Sequence, residues 1–327
     1  MKILEIMVKV FLILVITLFL SYFFFVYKDV ALSIGHKKVL QGKIAYSLKG
    51  HYIKIINLPS GRADNIYTRP ERIRKQLGFV HYPSFSPFGK KIVFSQGEHL
   101  FDDKLYIMDS DGANTKLFLD LGDTAAIAPS WSPDGEEIAF IVQERGRQGL
   151  YIAKASNPNA IRRINDIKPS LRQPSWSPDG KMIAFEYENK VSRYLGNGLR
   201  EERDLGGIYI IDIGSGEIKR NIEIASQPAW SPDGNMLICE KRDGYHMIDV
   251  IGVYGYGESN IIPYKKSIFS RGGSFPVRWS PDGKYIVFCK EIWFGLAGIY
   301  VISVDNPKKQ IRIGTDDEAI IGMSWAE

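Results

Sequence analysis

The sequence predicts an all-β chain, a six-bladed β-propeller preceded by one N-terminal transmembrane helix. Three observations lead there. A string built of an aromatic residue, a Ser-Pro turn and an apolar strand occurs five times, at intervals of 46, 45, 54 and 49 residues. Incomplete copies stand at the two ends of that array. Ahead of everything lies a single long apolar run. Repetition at about 40–50 residues, with several strands per unit, is the sequence signature of propeller blades.

The apolar run comes first. Residues 7–27 hold one charge, Lys9, and from Val10 to Tyr27 only Thr17 and Ser21 interrupt the apolar side chains. A helix that crosses the hydrocarbon core needs about 20 such residues. Tyr22 and Tyr27 suit an interfacial aromatic belt. The expected organisation is a membrane anchor at 1–27 (span about 7–27), a linker at 28–39 and a propeller at 40–327. The competing reading is a signal peptide cut near Ala31-Leu32-Ser33, which would release a secreted protein; such peptides have an apolar region of about 7–15 residues. Lys2 and Lys9 precede the run and Lys28, Lys37 and Lys38 follow it, so charge does not set the orientation. The very short tail before the run is that of a signal anchor, and places the large domain on the extracytoplasmic, periplasmic side.

The array follows. Its copies read PSFSPFGKKIVF (83–94), PSWSPDGEEIAF (129–140), PSWSPDGKMIAF (174–185), PAWSPDGNMLIC (228–239) and VRWSPDGKYIVF (277–288). Proline sets φ at the first central position of a turn, aspartate bonds to nearby backbone, and glycine accepts positive φ. The β-branched and aromatic run after each turn is a strand. The aromatic column is Phe85, Trp131, Trp176, Trp230 and Trp279, and the turn carboxylates are Asp134, Asp179, Asp233 and Asp282. The first copy departs, with Phe88 in the aspartate column. Each unit continues into a third strand, such as Leu105 to Met108 or Gly298 to Ile302, then a turn and a fourth strand. These columns are structural: a large aromatic fills the wedge between neighbouring blades.

The incomplete copies are complementary. Residues 43–68 supply strands and a turn but lack the first strand of a blade, whereas Gly322-Met323-Ser324-Trp325 is a first strand with nothing after it, 46 residues beyond Trp279. Pairing the last strand with the first completes a sixth blade and removes an exposed sheet edge.

The repeated P-x-W-S-P-D-G-x-x-I-A-F resembles the β-propeller repeat of the TolB type, a WD-repeat-like motif also found in propellers of prolyl-oligopeptidase-like proteins. The resemblance covers about residues 40–327. It implies the propeller fold and says little of function. No separate α/β region stands before the repeats, so the expectation is a TolB-like propeller and not TolB itself.

Chemistry is harder to find. The charge of +5, from 42 basic and 37 acidic residues, is not concentrated as nucleic-acid binders require, and none is expected as a partner. Cys239 and Cys289 are too few for a disulfide framework and read as buried small hydrophobes. No metal-ligand spacing, cofactor motif or G-x-S-x-G elbow is present. Asp109-Ser110-Asp111-Gly112 lacks the further oxygen ligands of a calcium loop. No catalytic, cofactor-binding or metal residue is therefore predicted, and the chain is not expected to be an enzyme.

Blade topology does pick out a face. In a four-stranded meander the Ser-Pro-Asp-Gly turns share one side, and the second-to-third turns share the other with the crossovers between blades. Irregular loops on that second side are where function concentrates. The candidate partner-binding residues are Arg193, Tyr194 and Arg200 in a loop at 187–206, and Trp293 and Phe294 in the turn of the last blade. His81, Arg172, Gln173, Gln227, Arg271, Ser274 and Phe275 add to them at the channel mouth. The expected function is a protein- or peptide-binding scaffold anchored to the membrane. The alternatives are a propeller enzyme or a small-ligand sensor acting on a saccharide or peptide in the central channel.

Overall fold

The computed structural model describes residues 40–48, 50–71, 78–99, 102–144, 147–165, 170–188, 190–195, 199–204, 206–223, 225–242, 246–252, 258–264, 276–293, 296–306, 310–316 and 320–327. The expected membrane anchor and linker lie outside the described residues. Among the described residues, no helix is long and apolar enough to cross a membrane.

The described residues form six four-stranded antiparallel sheets. The first joins β1 (Gly42–Leu48), β2 (Tyr52–Leu58) and β3 (Arg62–Thr68) to the last strand, β26 (Ile320–Ala326), which lies beside β1. The second contains β4 (Val80–Phe85), β5 (Lys91–Gln96), β6 (Lys104–Asp109) and β7 (Lys116–Leu119). The third contains β8 (Ala125–Trp131), β9 (Glu137–Glu144), β10 (Arg147–Lys154) and β11 (Asn157–Asn165). The fourth contains β12 (Ser170–Trp176), β13 (Met182–Glu188), β16 (Gly207–Asp212) and β17 (Ile218–Glu223), with a separate ribbon of β14 (Lys190–Leu195) and β15 (Leu199–Asp204) inserted after β13. The fifth contains β18 (Ala225–Trp230), β19 (Met236–Arg242), β20 (His246–Gly252) and β21 (Glu258–Tyr264); the sixth, β22 (Val277–Trp279), β23 (Tyr285–Trp293), β24 (Leu296–Ser303) and β25 (Gln310–Asp316).

This is the all-β propeller that the repeat predicts. Each first strand packs on the next: β26 on β4, β4 on β8, β8 on β12, β12 on β18, β18 on β22 and β22 on β26. The apolar clusters lie between neighbouring sheets. One gathers Ile141, Leu150 and Ile152 of the third sheet against Trp176, Ile183 and Phe185 of the fourth. Another joins Val287, Ile299 and Val301 of the sixth to Ile44, Tyr46 and Met323 of the first.

The aromatic column works as expected and adds a polar tie. Trp176, Trp230 and Trp279 are buried. The Trp176 indole donates to the Ser130 carbonyl of the preceding sheet at 3.1 Å, and Trp279 donates likewise to Ala229. In the turns, Ser132 Oγ donates to Asp134 Oδ1 at 2.6 Å and accepts from Glu137 N at 2.9 Å, while Glu136 N donates to Asp134 Oδ1. The same clasp recurs at Ser177–Asp179, Ser231–Asp233 and Ser280–Asp282. Hydrogen bonding to the serine holds the carboxyls of Asp134, Asp179 and Asp233 below the usual carboxylate range.

Strand β26 aligns Ala326 with Lys43 and Trp325 with Ile44, and the Trp325 indole donates to the Gln41 carbonyl. Gly42 sits at positive φ in this junction, where a Cβ would lie 2.1 Å from the Ala326 carbonyl oxygen. The two cysteines are buried and form no disulfide. They occupy different clusters, Cys239 between the fourth and fifth sheets and Cys289 between the sixth and first.

The structure differs from expectation at 187–206, where β13 extends to Glu188 and β14–β15 form an antiparallel ribbon in place of an irregular loop. In its register Arg193 aligns with Glu201 and Lys190 with Asp204.

Candidate functional site

Five of the first strands are bent near the axis. Four of them place a non-glycine residue at positive φ three positions before the aromatic: Tyr82, Ala128, Gln173 and Gln227; the fifth such position, in β26, is Gly322. The ladders of β4, β8, β12 and β18 skip a residue at these points. These are β-bulges, which re-aim side chains and end pairing. An L-residue held at positive φ costs about 1–2 kcal/mol, and a bond from the neighbouring sheet opposes that cost. Ala128 N donates to Ser95 Oγ at 3.0 Å, and Gln227 N donates to the buried Glu186 carboxylate at 3.2 Å.

These bends enclose an axial cavity of about 60 Å³, lined by segments of five first strands. Its wall includes Ser84, Ser130, Ser175 and Ser324, all in the column just before the aromatic, together with Gln173 and Arg278. Two of the serines are structural ties as well: Ser324 Oγ accepts from Phe85 N, and Ser175 Oγ accepts from Trp230 N. Arg278 takes the serine column in the sixth sheet. Burial pushes its guanidinium down to about 10.

On the second face, His81 Nε2 lies 2.8 Å from Asp103 Oδ1, and both side chains are mostly covered. Behind them Arg69, fully buried, donates to the carbonyls of Gly78, Gly97 and Glu98. It thereby stitches the crossover before β4 to the loop before β6. Of the other candidates, Arg172 is exposed, whereas Gln173 and Gln227 are buried at 6% and 4% exposure and each keeps a side-chain oxygen without a partner. Arg193 and Tyr194 lie on β14, Arg200 lies on β15 opposite Tyr194, and Trp293 ends β23. Phe294, Arg271, Ser274 and Phe275 lie outside the described residues.

The turn face is less uniform than the repeats suggest. A cleft of about 990 Å³ opens there between the second and third sheets, lined by Phe88, Leu117, Trp131 and Lys116 among others. Phe88, which replaces the turn aspartate, is 78% exposed. The Asp109 turn makes no cation cage: Asp109 takes Lys91 Nζ on one oxygen and Asn114 Nδ2 on the other. Among the described residues, no group of three or more His, Cys, Asp or Glu side chains could hold a metal ion.

Sequence reasoning passed over Arg69, Glu186 and Arg278. Arg278 was accessible by aligning the repeats, since one column holds Ser, Ser, Ser, Ala, Arg and Ser in turn. Arg69 and Glu186 left no such signal.

The TolB beta propeller domain family matches this chain over residues 44–192 and again over residues 100–293. The chain is 38% identical over 80 residues to the uncharacterized protein Atu1656 of Agrobacterium fabrum, covering 22% of this chain and 27% of that protein. It is 28% identical over 196 residues to the Tol-Pal system protein TolB of Francisella tularensis subsp. tularensis, covering 58% and 40%. It therefore spans well under half the length of these curated relatives. The crystal structure of TolB from Acinetobacter baumannii has the same fold, with a TM-score of 0.68 at 17% identity over 87% of this chain and 66% of that one. With its repeats, its sheets and a family match over most of its length, the chain belongs to the TolB beta propeller domain family.

Proposed function

We propose that this protein is a membrane-anchored, six-bladed propeller, closed between β26 and β1, that presents a protein- or peptide-docking face outside the cytoplasm and carries out no catalysis of its own. The observation that carries the reading is the β14–β15 ribbon. It stands apart from all six sheets, between β13 and β16, and so projects from the face opposite the Ser-Pro-Asp-Gly turns. A two-stranded ribbon that joins no sheet leaves its outer strand edges open to a partner, as in β-augmentation. Arg193, Tyr194 and Arg200 on the ribbon belong to the residue types that anchor interfaces. A Tol-Pal name for one relative supports a partner in the cell envelope. The apolar run at 7–27 supports the anchor, and with it the extracytoplasmic placement.

The test is crosslinking and mass spectrometry of the full chain in its native membrane, alongside a variant in which residues 190–204 are replaced by a four-residue Gly-Asn turn. The expected result is an intact N-terminus on the mature chain, crosslinks concentrated on residues 190–204 and 290–296, and their loss in the variant. Partners unchanged in the ribbonless variant would refute the docking face, and a mature N-terminus near residue 34 would refute the anchor.

A further inference from the structure

The axial cavity is furnished for an anion, and this goes beyond the docking face. Among the described residues, its one charged wall residue is Arg278. The guanidinium has five N–H donors. The bond it makes is to its own neighbour, from Nη1 to the Val277 carbonyl at 2.7 Å. No carboxylate among the described residues pairs with it, and desolvation alone moves its pKa, with no acidic neighbour opposing. A charge drawn into a protein without a counter-charge is costly unless it is paired.

The remaining wall supports the same conclusion. Ser175 and Ser324 have already accepted backbone N–H groups, so their hydroxyl protons stand ready to donate. Ser84 and Ser130 share the wall. Gln173, nine-tenths buried and lining the cavity, holds a side-chain oxygen with no partner. Four hydroxyls and a guanidinium thus face one small space, with one unsatisfied acceptor beside them. At about 60 Å³ the space exceeds what one ordered water needs and admits a small polyatomic ion.

We propose that the axial cavity is a binding site for a small oxyanion, held by Arg278 and the serine column. An oxyanion that keeps a hydroxyl, as hydrogenphosphate does, satisfies Arg278 and the serines with its charged oxygens and Gln173 Oε1 with its proton. A carboxylate satisfies only the first group.

The experiment is thermal unfolding of the full chain in detergent, titrated with inorganic phosphate or acetate against chloride at matched ionic strength, with equilibrium dialysis of labelled phosphate in parallel. At about a hundred times Kd, phosphate should raise Tm by about 4 °C for a propeller of this size. Arg278→Ser places the column's own residue in the sixth sheet and should abolish both the shift and retention in dialysis. Arg278→Lys keeps a charge without the planar fork and should weaken binding about tenfold. Phosphate acting alone identifies a free phosphate-like ligand, and acetate acting as strongly identifies a carboxylate group; either supports the site. No response to either anion in the wild type would overturn it, and so would an equal response in Arg278→Ser. If Arg278→Ser fails to fold, Arg278→Lys and dialysis decide: undiminished retention by Arg278→Lys overturns the site.

Discussion

The turn clasp makes a prediction with a built-in control. Ser132 is buried and its hydroxyl makes two bonds, one to the Asp134 carboxylate and one from Glu137 N. Ser132→Ala removes both. A hydrogen bond to a charged group contributes about 1.5–3 kcal/mol and a neutral one about 0.5–1.5 kcal/mol. Asp134 is exposed, so water replaces part of the first bond, and the expected loss is about 2 kcal/mol, or roughly 3 °C in Tm. The loss should also depend on pH. Asp134 titrates below its unfolded value, chiefly because Ser132 donates to it. A carboxyl with a depressed folded pKa contributes stability that is complete above the unfolded value near 4 and disappears as pH falls through the folded value. Ser132→Ala weakens that depression, so the gap between variant and wild type should be full at pH 7 and narrow at pH 3. The control is Ser86→Ala in the first copy. There Phe88 replaces the carboxylate, and Ser86 Oγ accepts only from Lys91 N, at 3.1 Å. About 1 kcal/mol should be lost, equally at both pH values. Denaturant titrations of both variants at pH 7 and pH 3 measure all four numbers. A Ser86→Ala deficit as large and as pH-dependent as that of Ser132→Ala would refute the assignment of the clasp to the Ser–Asp pair.

Three further substitutions test other joints. Trp176→Ala should cost about 3–5 kcal/mol, as for a large buried aromatic, while Trp176→Phe should cost about 1–2 kcal/mol, chiefly the indole bond to the Ser130 carbonyl; equal losses in denaturation would contradict the separation of packing from bonding. Gly42→Ala should lose at least about 1–2 kcal/mol from positive φ alone, and more from the approach to Ala326, so an unchanged Tm would refute the described pairing of β26 with β1. Arg69→Met should strip its bonds from the Gly78 and Gly97 carbonyls on the second face and leave Glu98 only the Gly78 N–H, each carbonyl left buried and unsatisfied costing about 1–3 kcal/mol. Its loss should appear as faster amide exchange in residues 78–82 and 97–103, and protection unchanged there would show that Arg69 is not what orders that face.

How much was legible in the sequence depends on whether a residue answers to its own neighbours or to another sheet. The tryptophans and the Ser-Pro-Asp-Gly turns answer to local geometry, repeat at a fixed period, and were readable from the chain alone. The axial bulges were not. Tyr82, Ala128, Gln173 and Gln227 share a backbone conformation but no single side-chain type, because the conformation is supported from outside, by Ser95 in one case and Glu186 in another. Even the supporting residues differ in type, so no column of the repeat announces them. The ribbon was missed for another reason: a charge-rich stretch reads as a solvated loop until its register is known.

Departures from the repeat carry a different kind of information. A column explains why most of its members are there, and leaves the exception to be explained by something else. Phe88 gives up two turn bonds that four sister copies make, and stands exposed on the wall of a cleft. Arg278 puts a charge where every other sheet puts a serine or an alanine, on the wall of the axial cavity. Neither substitution helps a blade to fold: the first forfeits a clasp, and the second pays desolvation with no counter-charge to oppose it. A fold assembled from near-identical parts tolerates such losses at few positions. Those are the positions at which binding, and not folding, has the better claim on the side chain.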